Sequence, residues 1–169
     1  MLCVAEGESH NSVHLAGLDN EIHSMDQSSE GLNKAVQFAR KHGVKIKTHV
    51  ADLATFLIEP GAWQAIVSIF PHIPAAMRRE LHRKVVLELA PNGVFLLQAY
   101  TVRQLETGGI VDPSRKQMEL FMSLAKLQSE LPGLPFELAR ELQREVNEEN
   151  FIVAAARWFG TGRRLFSTP

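Results

Sequence analysis

The chain has 169 residues, of which 45% are hydrophobic, so it can bury the core of one globular domain. Its 18 basic and 19 acidic residues leave a formal charge of −1, which gives no electrostatic basis for binding nucleic acid or a membrane surface. A single cysteine, Cys3, excludes an internal disulfide framework, and no apolar run approaches about 18 residues, so we expect a cytoplasmic protein without a nucleic-acid or membrane partner.

The first predicted elements are a strand and a helix joined by a turn of small residues. The strand covers 2–5, an apolar run too short for a helix. Asn11 and Ser12 can cap a short helix ended by Gly17, and its free N–H groups would attract a negatively polarised group. Small side chains between strand and helix let a ligand approach the backbone closely, and they belong to Ala5, Gly7 and Ser9.

A second predicted strand ends on an acidic residue. It runs from Glu21 to Met25 and finishes on Asp26, about 20 residues beyond the turn, as in dinucleotide- and nucleoside-binding units. At that place Asp26 could accept hydrogen bonds from both hydroxyls of a ribose. The alternative, from this stretch alone, is that Gly7 is only a tight turn and Asp26 only a helix cap.

The runs VAEGESHNS and MDQSS resemble the first two motifs of the class I S-adenosylmethionine-dependent methyltransferases. They are most similar to the small bacterial branch related to tellurite-resistance methyltransferases. That branch commonly has glycines at the positions of Ala5, Gly7 and Ser9, and often an acid at that of Cys3, so we expect looser cofactor binding here. The resemblance implies S-adenosylmethionine as cofactor, contacted by Ala5, Gly7, Ser9, Asn11, Asp26 and Gln27.

Members of this family normally carry a leading segment, often helical, that packs beside the first strand and partly covers the cofactor. In this sequence the first strand begins at Leu2. We therefore expect a methyltransferase domain over residues 1–159 without the leading helix, and a more open cofactor site. A sheet face left bare in this way could be covered by a second subunit, which predicts a homodimer.

A helix and a third strand follow Asp26. Ser28 or Ser29 can cap the helix, whose apolar residues recur at helical spacing until Gly43 ends it. The strand runs over 45–50 and leads into Asp52 and Leu53. In the family the acid at this strand end usually meets the adenine amino group, so the resemblance implies cofactor contacts from both residues. The alternative is that Asp52 caps a loop.

The clearest core strand is 63–70, because its centre is almost continuously apolar and β-branched. In the family the segment after this strand faces the reacting methyl group, which makes Ser68, Phe70 and His72 candidates for the site wall. His72 could be a general base for a protonated acceptor, since histidine titrates near neutrality. The alternative is an ordinary loop histidine.

A helix from Pro74 to about Leu89 is predicted next, followed by a turn at 90–93 and a buried strand at 94–99. The helix should pack through Met77, Leu81, Val85 and Leu89, while a solvated face is expected for Arg78, Arg79, Arg83 and Lys84. An exposed loop at 100–114 should precede another helix, with one face formed by Met118, Phe121, Met122 and Ala125.

The alternation of strands and helices predicts an α/β fold with a doubly wound, Rossmann-like, mostly parallel sheet. We expect seven strands, ending in an antiparallel hairpin formed by 136–146 and 151–159, as in the family. Residues 160–169 have no periodicity and are expected to form an irregular tail.

The resemblance covers nearly the whole chain and implies methyl transfer from S-adenosylmethionine to a small-molecule acceptor. Two alternatives stay open, a non-catalytic or truncated relic of the fold and a nicotinamide-dependent oxidoreductase, the latter disfavoured by the terminal hairpin. His10 and His14 share a helix face, but no third ligand is indicated, so no metal site is predicted. The sequence also lacks a GxSxG elbow and a P-loop lysine, the central residues of hydrolases and NTPases.

Overall fold

A computed structural model describes residues 1–101, 120–136 and 138–141 of the chain. In chain order they form β1 (Leu2–Val4), α1 (His10–Ala16), β2 (His23–Asp26), α2 (Ser29–Lys41), β3 (Lys47–Val50), β4 (Trp63–Ile69), α3 (Ala75–Glu88), β5 (Leu89–Gln98) and α4 (Leu124–Glu130). None of the helices in these described ranges is long and apolar enough to cross a membrane.

The five described strands form one parallel sheet in the order β3-β2-β1-β4-β5. The chain builds outward from β1 through β2 to β3, then returns to place β4 on the other side of β1. In such a sheet ligands bind outside the carboxyl ends of the strands, at the point where the direction of winding reverses. That point lies between β1 and β4, where the turn after β1 and the segment after β4 meet.

The core lies on both faces of the sheet because side chains alternate along each strand. Leu2 and Val4 of β1 pack into a large cluster that includes Leu81 and Val85 of α3. Cys3, between them, packs on the opposite face in a smaller cluster. Burial raises the pKa of the Cys3 thiol to about 12, so this cysteine is a protonated core residue.

The predicted parallel α/β architecture is confirmed, but the described sheet has five strands rather than seven. Phe136 and residues 138–141 are not in a strand, so the strand predicted to begin at Phe136 is wrong over those positions. The rest of the predicted hairpin and the tail at 160–169 lie outside the described residues. Residues 102–119, with most of the predicted loop and the start of the helix after it, also lie outside them. On the predicted helix face, Phe121 and Met122 are buried as expected, but Ala125 is exposed.

The N-terminus of α2 is capped as predicted, whereas that of α1 is not. Ser28 caps α2, since its hydroxyl accepts a hydrogen bond from the Gly31 amide at 3.0 Å. For α1 the prediction is wrong, because the helix begins at His10 after Ser9, before Asn11 and Ser12. Its first turn is satisfied instead by the Glu6 carboxylate, which accepts bonds from the amide (3.1 Å) and the hydroxyl of Ser12.

The solvated basic face predicted on α3 is wrong at Arg78, whose side chain is fully buried. Its guanidinium donates two hydrogen bonds to the Glu130 carboxylate of α4, from Nε at 2.9 Å and from Nη2 at 2.8 Å. His82, one turn along α3 and also fully buried, places Nδ1 at 2.9 Å from Glu130 Oε2. A buried ionic cluster, formed by the Arg78–Glu130 ion pair with the His82 ring beside it, therefore joins α3 to α4.

This ionic cluster predicts a loss of stability in acid. Burial by itself would raise the pKa of Glu130, but hydrogen bonds from Arg78 and His82 and their charges outweigh it and lower the pKa to about 2. Because the folded pKa lies below the unfolded one, the cluster stabilises the fold fully above about pH 4.5 and loses this contribution as pH falls towards 2.

Unfolding free energies measured by urea titration between pH 7 and 3 test this expectation. The wild-type value should fall more steeply below about pH 4.5 than that of Glu130→Gln, which has no carboxyl to protonate. Parallel curves for the two proteins would contradict the prediction.

Candidate active site

A cleft of about 380 Å³ opens at the carboxyl ends of β1, β2 and β3, beside the start of α3. It lies at the edge of the sheet where the topology places ligands. Six of the residues predicted from the sequence line it together, namely Ala5, Asp26, Gln27, Asp52, Leu53 and His72. Residues from four separate segments of the chain therefore meet in one cleft.

The turn after β1 holds three residues in the left-handed backbone region. The φ angles are 54° at Ala5, 57° at Gly7 and 59° at Ser9. These are the three positions at which the resemblance has glycine, and the left-handed region costs a residue with a Cβ about 1–2 kcal/mol. The turn thus keeps the glycine geometry although two of the three residues are not glycine.

Hydrogen bonds hold this strained turn in place. The Ala5 amide donates to the Met25 carbonyl at 2.9 Å, and the Ser9 amide donates to the Glu6 carbonyl at 3.0 Å. The buried Ser9 hydroxyl lies 2.6 Å from the hydroxyl of Ser24 on β2. Strain that is kept by surrounding contacts is typical of functional sites.

The strain predicts that Ala5→Gly stabilises the chain. Glycine adopts a φ of 54° without a Cβ penalty, and this gain exceeds the extra entropy of glycine in the unfolded chain, so we expect about 0.5–1 kcal/mol of stabilisation. Thermal unfolding measures the change. As a control, Ala76→Gly in the first turn of α3 should destabilise by about 0.5 kcal/mol, because position 76 is exposed and helical. Equal destabilisation by both changes would contradict the account of the turn.

Asp26 connects the turn after β1 to the start of α2. One carboxylate oxygen accepts a hydrogen bond from the Gly7 amide at 2.9 Å, and the other accepts from the Ser28 amide at 2.8 Å. These bonds fix the carboxylate at the cleft wall. Each oxygen keeps a further acceptor position, so the group can still receive two hydroxyl donors from a ligand.

The first turn of α2 packs directly on the turn after β1. A Cβ at Gly31 would lie 2.9 Å from the carbonyl oxygen of Gly7 and 3.3 Å from the Ser28 hydroxyl. The Gly7 backbone cannot move aside as easily as a flexible side chain, so only glycine at position 31 allows the two backbones to approach so closely. Gly31 was not predicted from the sequence, although a glycine inside a helical pattern often marks close packing.

We expect Gly31→Ala to destabilise the chain by about 1–2 kcal/mol, because the added methyl overpacks this contact by more than the gain in helix propensity. Displacement of the Gly7 peptide should also weaken ligand binding in the cleft. Asn33→Ala, at an exposed position of the same helix, is the matched control and should be neutral or stabilising. Urea unfolding measures the unfolding free energies of both variants. A Gly31→Ala protein more stable than the wild type would contradict the observed packing.

Asp52 both stabilises a loop and faces the cleft. Its Oδ1 accepts a hydrogen bond from the Ala54 amide at 2.8 Å, and its carbonyl accepts from the amides of Thr55 and Phe56. The loop-capping alternative is therefore observed. Because the side chain also lines the cleft next to Leu53, it remains available to a ligand.

The segment after β4 brings an aromatic group to the edge of the cleft. Phe70 adopts a φ of 50°, donates its amide to the Gln98 carbonyl at 2.7 Å, and stacks on Tyr100 with ring centroids 4.3 Å apart. His72 is exposed, lines the cleft, and has its ring 5.5 Å from that of Tyr100. Ser68 is buried in β4, and its hydroxyl has no hydrogen-bond partner among the described residues.

Five predicted site residues do not line the cleft. Gly7 contributes indirectly, because its amide donates a hydrogen bond to the Asp26 carboxylate, and the Ser9 hydroxyl is hydrogen-bonded to that of Ser24. Asn11 lies on a separate groove of about 580 Å³, beside α1 and the neighbouring face of the sheet. Ser68 and Phe70 are also not among the residues that line the cleft.

The sequence reasoning missed five residues that do line the cleft. Met25 and Ala51 directly precede the strand-end acids, and Ile73 and Pro74 directly follow His72. Met77 lies on the first turn of α3. Their position next to predicted site residues could have indicated them, because the neighbours of a residue at the end of a strand lie at the same edge of a parallel sheet.

Within the part of the chain that the structure describes, no three histidine, cysteine or acidic side chains are placed to hold a metal ion. His10 and His14 instead line a shallow cleft between α1 and α2 together with Phe38.

Comparison with known proteins adds a family and a fold. A family model described as a methyltransferase domain matches residues 1–93, which is more than half of the chain. This region contains the whole cleft, from Ala5 to Met77. A search of curated proteins finds no match at a significant level.

Solved structures with the same fold include several methyltransferases. A SAM-dependent methyltransferase from Methanosarcina mazei has a TM-score of 0.72 at 18% identity, with 94% of this chain and 91% of that chain covered. TehB from Haemophilus influenzae has a TM-score of 0.70 at 17% identity, with 96% of this chain but 57% of that chain covered.

A third similar structure is phosphoethanolamine N-methyltransferase 2 from Haemonchus contortus in complex with S-adenosyl-L-methionine. Its TM-score is 0.67 at 20% identity, with 84% of this chain and 34% of that chain covered. This chain thus spans about a third of that protein and somewhat over half of TehB. At these identities the similarity establishes the fold alone.

Proposed function

The chain belongs to the methyltransferase-domain family, and from this assignment we propose that it is an S-adenosylmethionine-dependent methyltransferase acting on a small-molecule acceptor. The observation that carries the proposal is the left-handed turn at Ala5, Gly7 and Ser9, joined by a hydrogen bond to the strand-end carboxylate of Asp26. A backbone that a ligand can approach closely and a carboxylate with two free acceptor positions fit an adenosine with its ribose.

The residues of the cleft divide into three groups in this proposal. Asp26 would accept hydrogen bonds from the ribose hydroxyls, with Gln27 next to it in the cleft lining. Asp52 and Leu53 would bind the adenine, one through its carboxylate and the other through apolar contact. Ala5 and the turn that follows it would hold the amino-acid part of the cofactor.

S-adenosylmethionine supplies a sulfonium methyl group that is already a strong electrophile. The protein has to place an acceptor in line with that methyl group and exclude water from it. His72 lines the cleft after β4 and is our candidate for the base that removes a proton from the acceptor. Ile73, Pro74 and Met77 continue the same wall with apolar surface, which supports exclusion of water.

Narrower predictions from the sequence remain proposals. Membership of the branch related to tellurite-resistance methyltransferases rests on the motif resemblance of the turn. A homodimer is tested by sedimentation equilibrium, in which a concentration-independent monomer would refute it. The family assignment favours S-adenosylmethionine over a nicotinamide cofactor. A non-catalytic relic that has lost the cofactor would differ from the proposed enzyme because it would not bind S-adenosylmethionine.

Calorimetric titration of the purified chain tests the proposal with S-adenosylmethionine, S-adenosylhomocysteine and NAD. We expect both sulfur nucleosides to bind with dissociation constants in the micromolar range and NAD to give no heat. Binding of NAD alone would contradict the proposal and favour the oxidoreductase alternative, whereas no binding of any of the three would favour a relic or an incomplete domain.

A further inference from the structure

We propose that Lys84 is a positioning residue of the cofactor site, whose ammonium holds the loop at 52–56 in the shape that binds adenine. Lys84 is not among the residues that line the cleft, whereas Asp52 and Leu53 at the start of this loop are. The inference rests on the proposed function and adds to it a residue that acts through Asp52.

The loop at 52–56 is a single turn that closes on its first residue. The Asp52 carbonyl accepts hydrogen bonds from the amides of Thr55 at 3.0 Å and Phe56 at 2.9 Å. The Asp52 carboxylate accepts one from the Ala54 amide at 2.8 Å. One turn is too short to be stable by itself, because ordering its backbone costs more entropy than its few hydrogen bonds offset. The orientation of Asp52 therefore depends on contacts from outside the loop.

Lys84 supplies such a contact from α3. Its Nζ donates hydrogen bonds to the carbonyls of Ala54 and Phe56, both at 3.1 Å. The sequence predicted Lys84 on a solvated face, but the residue is half-buried. Hydrogen bonds from an ammonium are stronger than those from a neutral donor, and the carbonyl end of a turn carries the partial negative charge that a cation stabilises. The ammonium thus holds the carbonyl end of the turn.

The helix that carries Lys84 also contributes to the cleft itself. Met77, on the first turn of α3, lines the cleft together with Asp52 and Leu53. Met77 and Lys84 are seven residues apart, so they lie on the same face of the helix, about two turns from each other. The bonds from Lys84 therefore fix the loop relative to the helix that carries Met77, and with it the position of the Asp52 carboxylate in the cleft.

A positioning role and a purely stabilising role of Lys84 predict different results for ligand specificity. A loss of stability alone would weaken all ligands of the cleft to a similar degree. A loss of position would act on the contact that Asp52 makes, which in the proposed function is with the adenine amino group. S-inosylhomocysteine reports on this contact, because it is S-adenosylhomocysteine with that amino group replaced by a carbonyl oxygen, which cannot donate to a carboxylate.

Calorimetry on the full chain measures the preference for S-adenosylhomocysteine over S-inosylhomocysteine. We expect a preference of about tenfold in the wild type, since one charge-assisted hydrogen bond distinguishes the two ligands. Lys84→Met removes the ammonium and keeps most of the side-chain stem. It should weaken S-adenosylhomocysteine about tenfold and S-inosylhomocysteine by no more than about threefold, which reduces the preference to about threefold or less. Lys84→Gln, whose side chain is neutral and shorter, should give the same result.

Three further proteins serve as controls. Lys84→Arg keeps a cation with several donors and should keep a preference of at least about fivefold. Arg83→Met changes the adjacent exposed residue, which is bonded to Glu80 within α3, and should leave both affinities within about twofold. In an Asp52→Ala background the preference should already be lost, and adding Lys84→Met should reduce it no further. Thermal unfolding of each variant sets a titration temperature well below the lowest midpoint.

The outcomes separate this inference from the proposed function. The inference is wrong if Lys84→Met and Lys84→Gln keep the wild-type preference, or weaken both ligands equally. It is also wrong if the wild type binds the two ligands with the same affinity. Failure of the wild type to bind S-adenosylhomocysteine would refute the proposed function instead.

Discussion

Arg78→Ala is expected to destabilise the chain by about 3–5 kcal/mol, because it leaves the Glu130 carboxylate buried without its main partner. The Arg78 side chain is fully buried and that of Glu130 is 7% exposed, so bulk solvent solvates the carboxylate poorly once the guanidinium is lost. The two bonds from Arg78 are bidentate, the geometry that guanidinium and carboxylate groups prefer. Since domains of this size are stable by only about 5–15 kcal/mol, such a loss would leave the fold marginal.

Arg79→Ala is the matched control for this experiment. It removes the same side chain one position further along α3, where it is exposed, and should change stability by less than about 0.5 kcal/mol. Urea unfolding followed by circular dichroism compares the two variants with the wild type. A double replacement, Arg78→Met with Glu130→Leu, should recover most of the lost stability, since paired removal of a buried ion pair is often neutral. Similar midpoints for Arg78→Ala and Arg79→Ala would contradict the burial of this ion pair.

Asp26→Ala is expected to weaken binding of S-adenosylhomocysteine by about 100-fold, equivalent to roughly 2.7 kcal/mol. Two charge-assisted hydrogen bonds to the ribose hydroxyls account for most of this loss. The change also releases the amides of Gly7 and Ser28, which the carboxylate holds at 2.9 and 2.8 Å. The turn after β1 would then lose its connection to α2, and the cleft would be less ordered before the ligand arrives.

Two further variants separate these contributions. Asp26→Asn keeps the shape but turns one amide donor towards a backbone N–H, so it should weaken binding nearly as much as alanine. Glu30→Gln removes an exposed carboxylate four residues away, on the first turn of α2, and should leave the affinity within about twofold. Calorimetry measures all three variants. If Asp26→Ala binds S-adenosylhomocysteine as tightly as Glu30→Gln, then Asp26 does not hold the ribose.

The sequence was most informative where function depends on backbone shape and strand ends. The spacing of Ala5, Gly7 and Ser9 indicated the turn after β1. The position of Asp26 at the end of the second predicted strand indicated that it would line the cleft. Both signals are local, because a turn and its strand are contiguous in the chain. The parallel sheet was also predictable, since the apolar and β-branched run at Trp63–Ile69 has the composition of a central strand.

Interactions between distant residues were not predictable in the same way. Arg78 and Glu130 are 52 positions apart, and a basic residue on a helix is far more often solvated than buried. The cap of α1 was missed for a related reason, because Glu6 reaches forward six residues from a turn rather than acting from the usual capping position. In both cases tertiary packing selects a partner that periodicity does not indicate.

A crystal structure of the chain with S-adenosylhomocysteine bound tests the central claim most directly. We predict the ribose hydroxyls within hydrogen-bonding distance of the Asp26 carboxylate, the adenine beside Asp52 and Leu53, and the sulfur facing the wall that contains His72. A nucleoside bound elsewhere on the molecule, for example in the groove that contains Asn11, would contradict the assignment of the cleft as the cofactor site.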